Sequence, residues 1–103
     1  LEETKRKWGM YDVFSKTKIL RIEANKGTSL QYHNHKTEFW YILDGSGFVT
    51  IGNVGNQTKK AKKGDSFYVN IGQKHQILAG DEGMTVLEVA TGDSVLEEDK
   101  VSL

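Results

Sequence analysis

The sequence predicts a single all-β domain, and three observations carry that prediction. Seven short runs are rich in Val, Ile, Phe, Tyr, Trp and Thr: KILRIEA (18–24), SLQYHNH (29–35), EFWYILD (38–44), GFVTIG (47–52), DSFYVNI (65–71), HQILAG (75–80) and MTVLEVAT (84–91). Glycine-bearing punctuation separates them: NKG, DGSG, GNVGN, KKGD, IGQK and AGDEG. No segment sustains a helical apolar period. Short strands at close spacing, divided by glycine turns, make a β-barrel or sandwich. At 103 residues the chain is long enough for one compact domain and not for two.

The elements follow in order. Residues 1–17 read as an N-terminal arm, with Trp8 and Tyr11 covering the end of the barrel or a dimer contact. Residues 18–91 hold the barrel strands, and 92–103 form a tail with room for a turn of helix or an edge strand. The basic run TKKAKK (58–63) reads as a solvated turn or strand end. Strand alternation then assigns faces, because side chains two apart share one. Gln31, His33 and His35 are expected to point one way, Glu38, Trp40 and Ile42 to share a face, and Gln73 and His75 to share another. All three histidines would then line one cavity. Arg21 falls on the face of Ile19 and Glu23. Trp40 and Tyr41 read as barrel core.

Composition excludes several classes. Fourteen basic and fourteen acidic residues cancel, and a nucleic-acid binder would show a net basic field. Without cysteine there is neither a disulfide nor a thiolate metal site. No apolar run approaches a membrane span, and LEETKRKWG carries no signal-peptide core, so a soluble cytoplasmic protein is expected. The Asn56-Gln57-Thr58 sequon has no meaning there.

SLQYHNHKTEFW (29–40) concentrates the chemistry. Imidazole, amide oxygen and carboxylate suit Zn, Mn, Co, Ni or Fe. Two or three such groups on one strand face, a carboxylate opposite and a distant histidine compose a metal site with an open position. Glu88 stands alone in the apolar VLEVA, where a charge is costly unless it faces a wet cavity or an edge.

Two motifs give these residues a context. Gly27-TSLQY-His33-Asn34-His35-KT-Glu38-FWYILD-Gly45 and Gly64-DSFYV-Asn70-Ile71-Gly72-QK-His75 resemble the paired motifs of the cupins, with Asn70 where the pattern has proline. KWGMYD (7–12), RIEANKG (21–27), SLQYHNHKTEFWYILDG (29–45), GDSFYVNIGQKH (64–75) and LEVATGDSVLEED (87–99) extend the likeness over nearly the whole chain. Together they resemble the mannose-6-phosphate isomerase cupin domain, the type often fused to a mannose-1-phosphate guanylyltransferase. No Gly-rich nucleotide loop occurs here, so nucleotidyl transfer is not expected of these residues.

The resemblance implies a single-domain cupin, a double-stranded β-helix or jelly-roll barrel, that pairs as a homodimer with its arm over a neighbour's sheet. It implies one divalent metal, zinc first, with Mn, Co, Ni or Fe also suited. In those isomerases the early ligands form a Q-x-H pair, which favours Gln31, His33, Glu38 and His75. Gln31 and His33 leave four residues before Glu38, whereas His33 and His35 leave two. His35 stays open as an alternative ligand; otherwise it is expected just outside the metal ligands, as a proton carrier alongside Glu88. Arg21 and Lys36 are the candidates to hold a phosphate, and Trp40 to floor a sugar site. Lys36 and Gln76 stand where the isomerases often carry arginine. The implied activity is conversion of mannose 6-phosphate to fructose 6-phosphate through an enediol, on a small sugar phosphate, with no nucleic-acid or membrane partner. An Fe(II)-dependent cupin dioxygenase and a non-catalytic sugar-binding cupin are the alternatives.

Overall fold

The structure, a computed structural model, describes residues 2–14, 16–52, 57–92 and 100–103. Most of the GNVGN turn, the sequon residue Asn56 and residues 93–99 of the tail lie outside these. The described residues are strand and turn, with no helix, so no helix is long and apolar enough to cross a membrane. Among the described residues nine strands run β1 Glu2–Arg6, β2 Gly9–Phe14, β3 Thr17–Ile22, β4 Gln31–His33, β5 Lys36–Ile51, β6 Thr58–Lys62, β7 Ser66–Val69, β8 His75–Gly92 and β9 Lys100–Ser102. All pair antiparallel in one curled sheet, ordered β1-β2-β3-β8-β4-β9, while β5 pairs with β6, β7 and β8.

Two expected glycine turns are not turns. DGSG and AGDEG lie inside β5 and β8, where the ladder shifts register between Ile42 and Asp44 and between Gly45 and Gly47. Gly45 (φ 81°) and Gly83 (φ 77°) are left-handed, and a Cβ on Gly45 would run into the Gly83 carbonyl. Glycine is required there because the two strands bend against each other. The bend also changes which residues face inward. On β5 the inward set is Lys36, Glu38, Trp40 and Ile42 before the bend and Val49 after it; on β8 it is His75, Ile77 and Ala79 before and Met84, Val86, Glu88 and Ala90 after. An extra residue flips every later side chain to the other face. That flip lets His75 and Glu88, an odd number of residues apart, open into one interior.

The core is apolar at one end: Leu20, Ile22, Ile42, Val49, Val69, Ile77, Met84 and Val86 pack together with Tyr11 and Trp40. Tyr41, expected in the core, is 38% exposed on the outer face. The N-terminal arm does not leave the domain. β1 and β2 form a hairpin on the chain's own β3, in a register that sets Tyr11 opposite Leu20. The end of the tail is the edge strand β9 beside β4. TKKAKK supplies β6, with Lys59, Lys60 and Lys62 exposed around the buried Ala61.

Candidate metal centre

Three strands bring His33, Glu38 and His75 together. Each is buried, and one ligand atom of each lies within 4.8 Å of the others. Glu38 is the hub. Its Oε2 accepts from His33 Nε2 at 2.9 Å and lies 3.5 Å from Lys36 Nζ. Its Oε1 accepts from the Trp40 indole nitrogen at 2.9 Å and lies 3.8 Å from His75 Nε2. The two imidazoles stack with centroids 5.1 Å apart, and Trp40 stands edge-on to His75.

The donor set fits a divalent cation. His75 Nδ1 lies 3.0 Å from the Gln73 carbonyl, to which only its N–H can donate, so Nε2 keeps its lone pair toward Glu38. Hydrogen bonding the outer ring nitrogen is the usual preparation of a metal-binding histidine. His33 Nδ1 is buried and has no hydrogen-bond partner among the described residues, a cost the fold carries to hold that ring where it is. Two imidazoles and a carboxylate leave positions open to substrate. Gln31 lines the same cavity and is the cross-strand partner of His75. Its amide nitrogen reaches the Ser29 carbonyl at 3.4 Å, which leaves the amide oxygen as an acceptor.

The second carboxylate is also inside. Glu88 lies opposite Trp40 in the β5–β8 ladder and hydrogen-bonds Glu38. Burial raises the Glu88 carboxyl well above its ordinary value, and the Glu38 charge and the shared hydrogen bond raise it further; Lys18 and Lys36 offset only part of this. Burial also acts to raise Glu38, but hydrogen bonds from His33 and Glu88, with the fields of His75 and Lys36, outweigh it and hold Glu38 well below the carboxylate range. One carboxyl of the pair is therefore ionised and the other protonated. His75 is lowered from 6.5, first by burial and then by His33 and Lys36, against the opposing pull of Glu38 and the Gln73 carbonyl.

Two expected placements are corrected. His35 does not face the cavity. β4 ends at His33, whose carbonyl accepts from Gly72 at 2.7 Å, and residues 34 and 35 bend before pairing resumes at Lys36. The bend breaks the alternation, so His35 is exposed and Lys36 turns inward. Gly92 lets the bend pass, since a Cβ there would strike the His35 carbonyl. Arg21 is exposed on the outer face, because Leu20 and Ile22 on either side of it are the inward residues of β3. Gln76 points its amide at the Thr28 carbonyl, 3.0 Å away, as a structural contact. Trp40 and Lys36 do line the cavity, whose volume is about 270 Å³.

The cavity wall also includes Arg6, Lys18 and Lys100, which the motifs do not single out, and Tyr11, expected over the end of the barrel or at a dimer contact. Lys18 has a readable signal, since it lies two residues before Leu20 and therefore on the apolar face of β3. Arg6 has none, because its position depends on a hairpin that pairs far from the metal-ligand motifs.

Comparison with known proteins shows the family and the fold. The whole chain, residues 1–103, matches the family described as "Mannose-6-phosphate isomerase C-terminal". The chain belongs to that family. Its relatives include a mannose-1-phosphate guanylyltransferase of Vibrio cholerae, named as putative, 35% identical over 106 residues, and mannose-1-phosphate guanylyltransferase 2 of Escherichia coli O157:H7, 30% identical over 103. These alignments cover 96% and 94% of this chain but 22% and 21% of those proteins, so the chain spans about a fifth of their length. Among solved structures, oxalate decarboxylase from Bacillus subtilis superposes with TM-score 0.86 at 23% identity, covering 99% of this chain and 30% of that one, which shows the fold alone. A cupin protein from Bacteroides fragilis superposes with TM-score 0.66 at 25% identity, over 79% of this chain and 68% of its own. The isomerase-type family is thus built here on a cupin barrel, with a candidate His/Glu/His metal group inside it.

Proposed function

We propose that this domain is a metal-dependent aldose–ketose isomerase acting on a hexose phosphate, mannose 6-phosphate to fructose 6-phosphate. The observation that carries the reading is Glu88, a buried carboxyl of raised pKa beside the metal-type cluster. Gln31, His33, Glu38 and His75 are the proposed ligands, with zinc as the first metal to try. A bound divalent ion would supply Lewis-acid stabilisation of negative charge developing on the sugar oxygens. The chain's own residues do the rest. In its ionised form Glu88 is a stronger base than an ordinary carboxylate, because burial favours its neutral acid. Ionised Glu88 takes the proton from C2; the C2–H electron pair becomes the C1–C2 double bond as the carbonyl π pair of C1 moves onto O1, which gives the enediolate. It then returns the proton to C1 as the hydroxyl hydrogen of O2 passes to O1. Trp40 fixes one oxygen of Glu38 through its indole N–H.

The test is NMR of metal-loaded protein with mannose 6-phosphate in heavy water. Deuterium at C2 and fructose 6-phosphate are the expected signals. Silence across Zn, Mn, Co, Ni and Fe, with the metal tightly bound, overturns the reading. Two histidines and one carboxylate also suit Fe(II) oxygenation, the second reading. Oxygen uptake by the iron-loaded protein, without deuterium exchange, would put that reading first.

A further inference from the structure

The outer face of the sheet holds a block of side chains without charge. β7, β5, β8 and β3 lie side by side there. Register sets Tyr68 beside Phe39, Phe39 beside Val89 and Val89 beside Thr17. One step along, Ser66 lies beside Tyr41, Tyr41 beside Leu87 and Leu87 beside Ile19. Cross-strand partners share a face. The residues that alternate with them, Glu38, Trp40, Val69, Glu88 and Leu20 among them, are buried on the other face. The eight positions carry three aromatic rings, three aliphatic side chains, a threonine and a serine. Charged residues make up 27% of the chain, yet none stands at any of the eight.

The rings are open to solvent: Phe39 is 40%, Tyr41 38% and Tyr68 55% exposed. Exposed apolar residues scattered singly need no explanation, whereas a contiguous set marks a contact surface. With aromatic side chains of about 150–250 Å² each, these three leave roughly 250 Å² uncovered. A standard interface takes about 800 Å² from each partner, as a charge-poor aromatic core inside a polar rim. The three rings supply about a third of that area, and the half-buried Ile19, Leu87 and Val89 extend the same core.

Charge selects the occupant. A charged partner face would lose hydration against these eight positions and gain no ion pair from them. A second copy brings the same uncharged block. The next row along the strands is Asp44, Thr85 and Arg21, one acid and one base, so the border presents no single sign of charge to its own image. The chain's net charge is zero, so two copies do not repel each other as wholes. A twofold axis uses one patch twice and closes the assembly.

We propose that the outer face of β7, β5, β8 and β3 joins two copies of this chain in a symmetric homodimer anchored by Phe39, Tyr41 and Tyr68. Twisted sheets stack in this way about 10 Å apart. The proposal moves the dimer contact from the N-terminal arm, whose hairpin lies on its own β3, to the sheet. Because Phe39 and Tyr41 alternate with Glu38 and Trp40 along β5, the contact lies on the opposite side of the sheet from the metal-type cluster. It is independent of the reaction proposed for the cavity, and deuterium exchange neither supports nor removes it.

The experiment is size-exclusion chromatography with light scattering over a dilution series, joined to hydroxyl-radical footprinting. Wild-type protein should show twice the chain's mass at micromolar concentration and dissociate on dilution. Phe39→Lys and Tyr41→Lys should each weaken association by roughly 30-fold or more, the effect of losing a central aromatic anchor. Zinc affinity should hold in both, and Phe48→Lys, at an exposed ring outside the patch, should leave association unchanged. Footprinting of wild-type protein keeps the test open if a variant fails to fold. Phe39, Tyr41 and Tyr68 should be protected from oxidation in the dimer and Phe48 should not. Three results overturn the interface: a wild-type monomer at every concentration, wild-type association in both folded variants, or a dimer in which the three rings oxidise as fast as in the monomer.

Discussion

Glu38 and Glu88 are hydrogen-bonded to each other inside the barrel, and one keeps the proton the other has lost. Their strands explain the asymmetry. Glu38 sits among donors, His33, Trp40 and Lys36, whereas the neighbouring charge that acts most strongly on Glu88 is Glu38 itself. Two carboxylates in one apolar enclosure cannot both ionise cheaply, so environment assigns the roles.

This asymmetry predicts a pH signature in the metal-free protein. Below 4.5 Glu88 is protonated folded and unfolded, and it is neutral for stability. Above 4.5 the unfolded chain loses that proton while the folded chain keeps it, so folding is increasingly disfavoured until the raised folded value is passed. Glu88→Gln removes this term at nearly equal shape. Relative to wild type, the variant should gain stability progressively as pH rises above 4.5, until the raised folded value of Glu88 is passed. Urea melts of both proteins across that range check it, and a pH-independent difference contradicts the protonated assignment.

Metal removal is the second test. A ligand that binds only the folded state stabilises it by about 2.7 kcal/mol at a concentration one hundred times its dissociation constant. Zinc should therefore raise the melting temperature, and chelator should reverse the gain. His33→Ala and His75→Ala should abolish the shift, whereas His35→Ala should leave it intact, since His35 is exposed outside the cavity. A His35→Ala variant that loses zinc would show that the bend at residues 34 and 35 rearranges around the ion.

How far the sequence can be read follows from the range of the interactions. His33, Glu38 and His75 are legible because motif spacing fixes them, and the barrel because β-branched and aromatic runs recur between glycines. His35 is misplaced when strict alternation is carried across a two-residue bend that a bond from Gly72 to the His33 carbonyl produces. β5 and β8 each divide in two on a sequence reading because glycine marks a bulge as readily as a turn. Arg21 escapes correct placement despite a usable local signal, its apolar neighbours Leu20 and Ile22. Arg6 is illegible, since only the pairing of β1, β2 and β3 brings it to the cavity, and Tyr11 is legible only as a residue over the barrel end.

Trp40 gives the last prediction. Its indole N–H holds Glu38 Oε1 at 2.9 Å, and its ring stands against His75 at 5.5 Å between centroids. Phenylalanine would keep most of the packing and lose only the donor. Glu38 would then carry a buried oxygen short of a partner, at a cost of about 1–3 kcal/mol. The carboxylate would also lose what fixes its orientation, and partners behind a metal ligand are worth roughly 10- to 100-fold in metal affinity. Trp40→Phe should therefore lower both the melting temperature of the metal-free protein and its zinc affinity by these amounts, read by thermal melts and competition with a chromophoric chelator. A variant that melts lower but binds zinc as wild type would reduce Trp40 to a core residue, and Glu38 would then owe its orientation to His33 and Lys36.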